Sequence, residues 1–222
     1  MMCDISWDAS YQKEERIWGD APSELARVVV SHLQKGDLGH LDILEIGCGY
    51  GRDAAYISRH LDAHIVATDP SRVAIEMALA NCDSASVSFH CCSFGETDGT
   101  HDVVMAANVY HVLRSGDRQQ FGRAIAKRLR PGGLLFLDAL SIRDPQHYGK
   151  GDPVPGEPNS FVNRRYLHLS TREELQEAFA HLTVEELYEH AYHEPLAEGG
   201  FHHHVSWMLI ARANQNSANQ NS

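Results

Sequence analysis

Short apolar or alternating runs are separated by amphipathic stretches between residues 22 and 140. The runs at 43–47, 64–69, 86–91, 102–107 and 134–140 have the length of strands. Helical spacing of apolar residues is found at 52–61, at 71–82, after Pro22 and Ser23, and around Phe121, Ile125 and Leu129. Strands alternating with helices predict an α/β fold with a doubly wound, mostly parallel sheet and right-handed crossovers.

The pattern changes after residue 140. Residues 141–169 contain four prolines and three glycines without periodicity, which predicts a long, lid-like loop. Thr171 and Glu174 form a capping box for another helix, and strands are expected at 184–187 and 205–210. The polar tail 214–222 is expected to be disordered. We predict a single domain over 1–213 that begins with an arm, residues 1–22.

Composition narrows the classes of protein and partner. A net charge of −11 argues against a nucleic-acid binder, which needs clustered cations. No apolar run approaches the roughly 20 residues of a membrane-spanning helix, and the first residues do not resemble a signal peptide. Five cysteines without a CxxC pair favour a reducing, cytoplasmic location. A monomer or a homodimer is expected.

Glycines at alternating positions mark the turn after the first strand. Gly47, Gly49 and Gly51 allow left-handed backbone and the close approach of a ligand. A dinucleotide-binding turn would carry its third glycine at position 52, where this chain has Arg52. The second strand ends in Asp69, where doubly wound folds bind a ribose diol. The pattern therefore disfavours NAD and favours a ligand that carries both a ribose and a carboxylate.

Four segments in order resemble class I S-adenosylmethionine-dependent methyltransferases. They are Glu45–Gly51, Asp69–Ser71, His101–Asn108 and Leu129–Leu135. The resemblance implies a Rossmann-like seven-stranded sheet that ends in an antiparallel hairpin. It also implies S-adenosyl-L-methionine as cofactor and methyl transfer to a small-molecule acceptor. Features outside this region are similar to stand-alone enzymes of the tellurite-resistance and thiopurine kind.

The resemblance assigns cofactor contacts to several positions. The glycine turn with Cys48 would pass beneath the methionine part of the cofactor, and Asp69 would accept from the ribose hydroxyls. Arg52 either pairs with the cofactor carboxylate or only caps the helix surface. Pro70 and Ser71 would flank the adenine, although Ser71 is equally explained as a helix N-cap. The predicted cofactor-binding residues are Trp18, Gly47, Cys48, Gly49, Arg52, Asp69, Pro70, Ser71, Cys92, Ser93, Phe94 and Asn108.

The third and fourth strands are less typical of the family. The acid that usually follows the third strand is absent, so the Ser93 hydroxyl or backbone groups are expected to bind the adenine, with Phe94 at its edge. After the fourth strand, His111 is either a general base or a loop-holding residue. Tyr110, His168 and His202 are predicted to contact the acceptor.

Histidines are frequent near the C-terminus. The run His202–His204 and the segment 189–194 lie on either side of a predicted hairpin bend. Because side chains alternate along a strand, only His202 and His204 of the run share a face. We therefore expect a lid-lining role and no metal site. The alternative to an enzyme is a non-catalytic cofactor-binding protein that acts as a sensor or a partner subunit.

Overall fold

The computed structural model describes residues 7–14, 17–36, 39–195 and 201–215. Its helices are α1 (Trp7–Glu14), α2 (Glu24–Leu33), α3 (Arg52–Ser58), α4 (Arg72–Asn81), α5 (Ser115–Ala126) and α6 (Arg172–Ala178). Its strands are β1 (Leu41–Ile46), β2 (Ala63–Asp69), β3 (Val87–Cys91), β4 (His101–Ala106), β5 (Leu129–Leu140), β6 (Asp152–Pro153), β7 (Ser160–Asn163), β8 (Arg165–His168), β9 (Thr183–Pro195) and β10 (Phe201–Arg212). A 3-10 turn, Tyr110–Val112, follows β4.

Seven strands form the central sheet in the order β3-β2-β1-β4-β5-β10-β9. The strands from β3 to β5 are parallel, whereas β10 is antiparallel to both β5 and β9. The predicted doubly wound fold with an antiparallel C-terminal hairpin is confirmed. The strand order reverses between β1 and β4, and ligands of open α/β sheets bind at the carboxyl ends beside such a reversal.

Alternation along the strands gives the sheet two buried faces. On β1, Ile43 belongs to the cluster that packs against α2 and α3, and its neighbour Leu44 belongs to the cluster that includes Phe121 of α5 and Phe179 beside α6. Because both faces are covered by helices, the central strands are apolar on both sides. The carboxyl edge of the sheet is left for polar groups.

Side-chain oxygens cap three of the helices. Ser23, Ser71 and Thr171 accept from the backbone N–H three residues later, at the starts of α2, α4 and α6. The predicted capping box of α6 therefore has its N-cap bond in place.

The segment 141–169 differs from the prediction of an irregular loop. It contains β6, β7 and β8, which form a small antiparallel sheet in that order. Pro153 lies in the edge strand β6, where a missing N–H is tolerated. Arg164 takes a left-handed conformation (φ 62°) at the turn between β7 and β8. Most prolines and glycines of this segment lie in turns. We call residues 141–169 the lid.

Some predictions fall outside the described residues. These are the first six residues of the arm, the hairpin bend at 196–200, the side chain of His202 and most of the polar tail. Among the described helices, none combines the length and the apolarity that a membrane crossing requires.

Candidate functional site

A cavity of about 200 Å³ opens at the carboxyl ends of β1, β2 and β4. It is lined by the glycine turn, the start of α3, the ends of β2 and β3, the segment after β4, and aromatic residues of the N-terminal arm. All predicted cofactor-binding residues except Ser71 line it, namely Trp18, Gly47, Cys48, Gly49, Arg52, Asp69, Pro70, Cys92, Ser93, Phe94 and Asn108. The sheet therefore brings residues from distant parts of the sequence into one site.

The glycine turn allows two side chains to approach the backbone. Gly47 and Gly49 have φ angles of 74° and 53°. A Cβ on Gly47 would lie 2.3 Å from Cγ2 of Val109, and one on Gly49 would lie 2.9 Å from the Tyr11 hydroxyl. Both positions require glycine for conformation and for space.

Asp69 is buried at the end of β2. Its Oδ2 accepts the N–H of Gly49 at 2.9 Å, and its Oδ1 accepts the N–H of Ser71 at 2.8 Å. Burial raises the pKa of Asp69, while these two backbone bonds act to lower it. A carboxylate has about four acceptor positions, so Asp69 retains capacity for ligand hydroxyls.

Arg52 connects the glycine turn to the arm. Its Nη1 donates to the carbonyl oxygens of Trp18 and Ala21, the latter at 3.1 Å. Arg52 also lines the cavity. Its observed role is to hold the arm, and pairing with a cofactor carboxylate stays a prediction.

Asp53 extends this connection to α2. Its carboxylate accepts from the backbone N–H of Ser23 at 2.7 Å and from the Ser23 hydroxyl at 2.6 Å, and all of these atoms are buried. The sequence alone does not indicate a role for Asp53, because its partner Ser23 is 30 residues away along the chain.

Glu45 contributes an unsatisfied carboxylate oxygen to the cavity wall. Its Oε2 is buried and has no hydrogen-bond partner among the described residues. Burial, with the nearby charge of Asp53, raises the pKa of Glu45 well above its usual range. An ammonium group of a ligand would supply the missing partner, since a buried polar atom without one is costly. The donor and acceptor set therefore fits S-adenosylmethionine, with Glu45 toward its amino group and Asp69 toward its ribose.

Ser71 and Ser93 have internal partners. The Ser71 hydroxyl caps α4 and donates to Asp8 Oδ1 at 2.5 Å. The Ser93 hydroxyl donates to Glu96 Oε2 at 2.8 Å. Ser71 thus has the N-cap role that was its alternative interpretation, and it attaches α1 to α4 through Asp8.

Asn108 marks the bend after β4. Its backbone is left-handed (φ 59°), and its N–H donates to Asp138 Oδ1 at 2.7 Å. Asp138 is buried near the end of β5, and burial raises its pKa to about 7. Asp138 was not predicted, because it lies within an apolar strand pattern.

Tyr110, His111 and His168, which were predicted to act on the acceptor, are buried and do not line the cavity. His111 is buried, and burial, with nearby His147 and His204, lowers its pKa to about 3. The Tyr110 hydroxyl faces Glu174 at 3.4 Å, and His168 bonds Ser160 and Glu174. The neighbours Val109, Val112 and Leu113 line the cavity instead.

Residues 43–133 match the family model for a methyltransferase domain. Over these residues the chain is similar to a methyltransferase domain. The predicted resemblance to class I S-adenosylmethionine-dependent methyltransferases is thereby confirmed. The matched residues include the glycine turn, Asp69 and Asn108, which line the cavity described above.

Curated relatives match slightly less than half of this chain. The ubiquinone biosynthesis O-methyltransferase of Bradyrhizobium diazoefficiens is 33% identical over 109 residues, which is 47% of this chain and 42% of the relative. Phosphoethanolamine N-methyltransferase 1 of Arabidopsis thaliana is 30% identical over 100 residues, 43% of this chain and 20% of the relative. The chain thus spans less than half of these relatives.

Solved structures share the fold of this chain over nearly its whole length. The 1,6-didemethyltoxoflavin-N1-methyltransferase of Burkholderia thailandensis, solved with 1,6-didemethyltoxoflavin and S-adenosylhomocysteine, has a TM-score of 0.67 at 21% identity and covers 94% of this chain and 85% of its own. A structure from work on conversion of a disulfide bond into a thioacetal group during echinomycin biosynthesis has a TM-score of 0.74 at 20% identity. The match covers 96% of this chain and 92% of that structure's chain.

Proposed function

We propose that this protein is an S-adenosylmethionine-dependent methyltransferase that acts on a small-molecule acceptor. The observation that carries the proposal is the cavity at the carboxyl edge of the sheet, where the glycine turn, Asp69 and the unsatisfied Glu45 oxygen converge. Relatives that match residues 43–133 are methyltransferases by name.

The chemistry of the cofactor explains why the site is mainly a binding site. A bound sulfonium supplies an activated methyl group and a good leaving group. The protein contributes alignment of donor and acceptor, which is worth effective molarities of about 10⁵–10⁸ M. Asp69 and Glu45 would orient the cofactor, and the aromatic arm residues Trp7, Tyr11 and Trp18 would exclude water.

A small acceptor suits the size and charge of the molecule. The cavity wall combines a mainly apolar surface with a few charged groups, and the net charge of −11 disfavours nucleic acid. Cys48, Cys82, Cys91 and Cys92 are free thiols, which supports a reducing, cytoplasmic location.

The direct test is calorimetric titration with S-adenosylmethionine and NADH side by side, in the unsubstituted protein and in Asp69→Asn. We expect S-adenosylmethionine to bind and NADH not to bind. Asp69→Asn should weaken binding by at least about tenfold, because a hydrogen bond to a charged group is worth about 1.5–3 kcal/mol. Asp117→Asn, which removes an exposed carboxyl on α5, is the control and should bind normally.

An acceptor screen then separates an enzyme from a sensor. Release of S-adenosylhomocysteine with any phenol, thiol, amine or metalloid acceptor would establish catalysis. Cofactor binding without turnover on every acceptor class would favour the non-catalytic alternative. Binding of NADH with no binding of S-adenosylmethionine would refute the proposal as a whole.

A further inference from the structure

Three potential metal ligands meet where the lid contacts the C-terminal hairpin. Asp144 and His147 lie in the lid just after β5, and His204 lies in β10. One ligand atom from each lies within 4.8 Å of the other two. These residues are separate from the cavity wall that holds Asp69 and Glu45.

The distances suit a tetrahedral ion. Nδ1 of His147 is 3.0 Å from Asp144 Oδ1, and Nδ1 of His204 is 3.2 Å from Asp144 Oδ2. Zinc bonds of about 2.0–2.1 Å place neighbouring ligands about 3.3 Å apart. Small shifts of the side chains would therefore admit an ion, with each imidazole proton on Nε2 and each Nδ1 lone pair on the metal.

The backbone holds the carboxylate in place. Oδ1 of Asp144 accepts the N–H groups of Gln146 and His147, both at 2.9 Å, and Oδ2 accepts the N–H of Val205 at 2.9 Å. Such outer contacts orient a metal ligand and fix its ionised form. The rings of His147 and His204 are stacked, with centroids 5.2 Å apart.

Burial gives the cluster a closed base and an open side. The side chains of Asp144 and His204 are 0% and 6% exposed, whereas that of His147 is 28% exposed. An ion could enter past His147 without unfolding the strands.

A third imidazole, that of His111, lies beside the cluster. Nδ1 of His111 is buried and lacks a hydrogen-bond partner within the described part of the chain. The charged groups near His111 include all three members of the cluster, His147, His204 and Asp144, together with His168. A buried polar atom without a partner commonly marks a missing ion or water.

We propose that Asp144, His147 and His204 form a binding site for a divalent transition-metal ion of the zinc type, with the imidazole of His111 beside it. This departs from the expectation of no metal site. That expectation concerned the run His202–His204 with the segment 189–194, whereas the proposed set takes only His204 from these residues. The lid supplies the other two ligands, and folding brings them together.

The test is titration of chelator-treated full-length protein with Zn²⁺, followed by competition with a chromophoric chelator. We expect one equivalent to bind, and Co²⁺ to give the visible absorption of a four- or five-coordinate ion. His147→Ala should weaken binding by more than about tenfold, because it removes a ligand on the exposed side of the cluster. Asp144→Asn keeps one acceptor oxygen, for the N–H groups of Gln146 and His147, but loses the anionic ligand, so it should also weaken binding.

His203→Ala is the matched control. His203 lies next to His204 on the opposite face and stacks on His193 at 4.9 Å, so it offers an alternative histidine pair. Unchanged binding in His203→Ala with loss in His147→Ala supports the proposal. Loss in His203→Ala alone would assign the ion to the other pair, and absence of binding to the unsubstituted protein would leave Asp144 as a hydrogen-bonding anchor. Either result would overturn the proposal.

Discussion

Gly47 is constrained by conformation and by its neighbour, and the two effects can be separated. Gly156 has a φ of 78°, similar to the 74° of Gly47, but a Cβ there would meet no atom within 4 Å. Gly156→Ala should therefore destabilise the protein by only about 1–2 kcal/mol, the cost of left-handed backbone. Gly47→Ala should cost more, because its Cβ would overlap Val109.

Urea unfolding of both variants measures this difference. Since Val109 also lines the cavity, Gly47→Ala should weaken cofactor binding, and Gly156→Ala should not. Equal losses of stability in the two variants would mean that Val109 moves aside at no cost.

Asp138 predicts a pH dependence of stability. Its pKa is about 7 in the folded protein and 3.8 in a model peptide. Between these two values, the native state holds a proton that the unfolded chain has lost. The contribution of Asp138 to the free energy of unfolding is therefore complete below about pH 4 and is lost as the pH rises through 7. The slope is about 1.4 kcal/mol per pH unit within that window.

Asp138→Asn removes this titration and keeps an oxygen for the N–H of Asn108. The free energy of unfolding of the variant, relative to the unsubstituted protein, should rise between about pH 5 and about pH 8. Chemical denaturation at both pH values is the measurement. A constant difference would show that Asp138 is not protonated in the native state.

Sequence patterns predicted residues whose role depends on local context. The glycine turn and the terminal acid of β2 are fixed by their place in one strand-turn-helix unit, and both line the cavity. Asp138 and Asp144 escaped prediction because their partners, Asn108 and His204, are 30 and 60 residues away. Such pairs exist only once strands have taken their places in the sheet.

At the scale of elements, strand positions were predictable and the lid was not. The apolar run at 64–69 corresponds to β2, Ala63–Asp69, because a buried strand needs a continuous apolar pattern. The lid strands β7 and β8 have four residues each and are mostly half-buried, without an alternation of buried and exposed positions. Such short strands carry too little periodicity to be recognised among prolines and glycines.

The lid meets the arm through Arg165. Its guanidinium lies 5.8 Å from the ring centre of Trp7 and 5.4 Å from that of Trp18. Arg165→Ala should remove these cation–π contacts, worth about 0.5–2 kcal/mol each, and so loosen the arm over the cavity. Hydrogen exchange should therefore increase in α1 and around Trp18.

Arg164→Asn is the control for this change. It removes a cation from the same turn, and asparagine tolerates the left-handed backbone at φ 62°. Exchange in α1 should stay unchanged in this variant. If Arg165→Ala also leaves α1 unchanged, the other contacts of the arm, which include those of Asp8, Arg52 and Tyr50, are sufficient to hold it.

At the scale of the whole molecule, one sheet supports every part of the site. Its two apolar faces pack against α2 and α3 on one side and against α5 and the region of α6 on the other. The cavity wall combines the arm with the ends of β1, β2, β3 and β4. A ligand bound there contacts elements from both layers, so its binding energy should stabilise the protein as a unit.

This arrangement predicts the response of thermal unfolding to ligand. S-adenosylhomocysteine at a hundredfold excess over its Kd should stabilise the native state by about 2.7 kcal/mol. One kcal/mol corresponds to about 2–4 °C for a chain of this size, so the unfolding midpoint should rise by about 5–10 °C in one cooperative transition. Asp69→Asn should reduce the rise to about half or less at the same ligand concentration, because a complex weakened tenfold leaves the ligand at only about ten times its Kd. Two transitions, of which only one moves with ligand, would show instead that the C-terminal hairpin unfolds separately from the cofactor-binding half of the sheet.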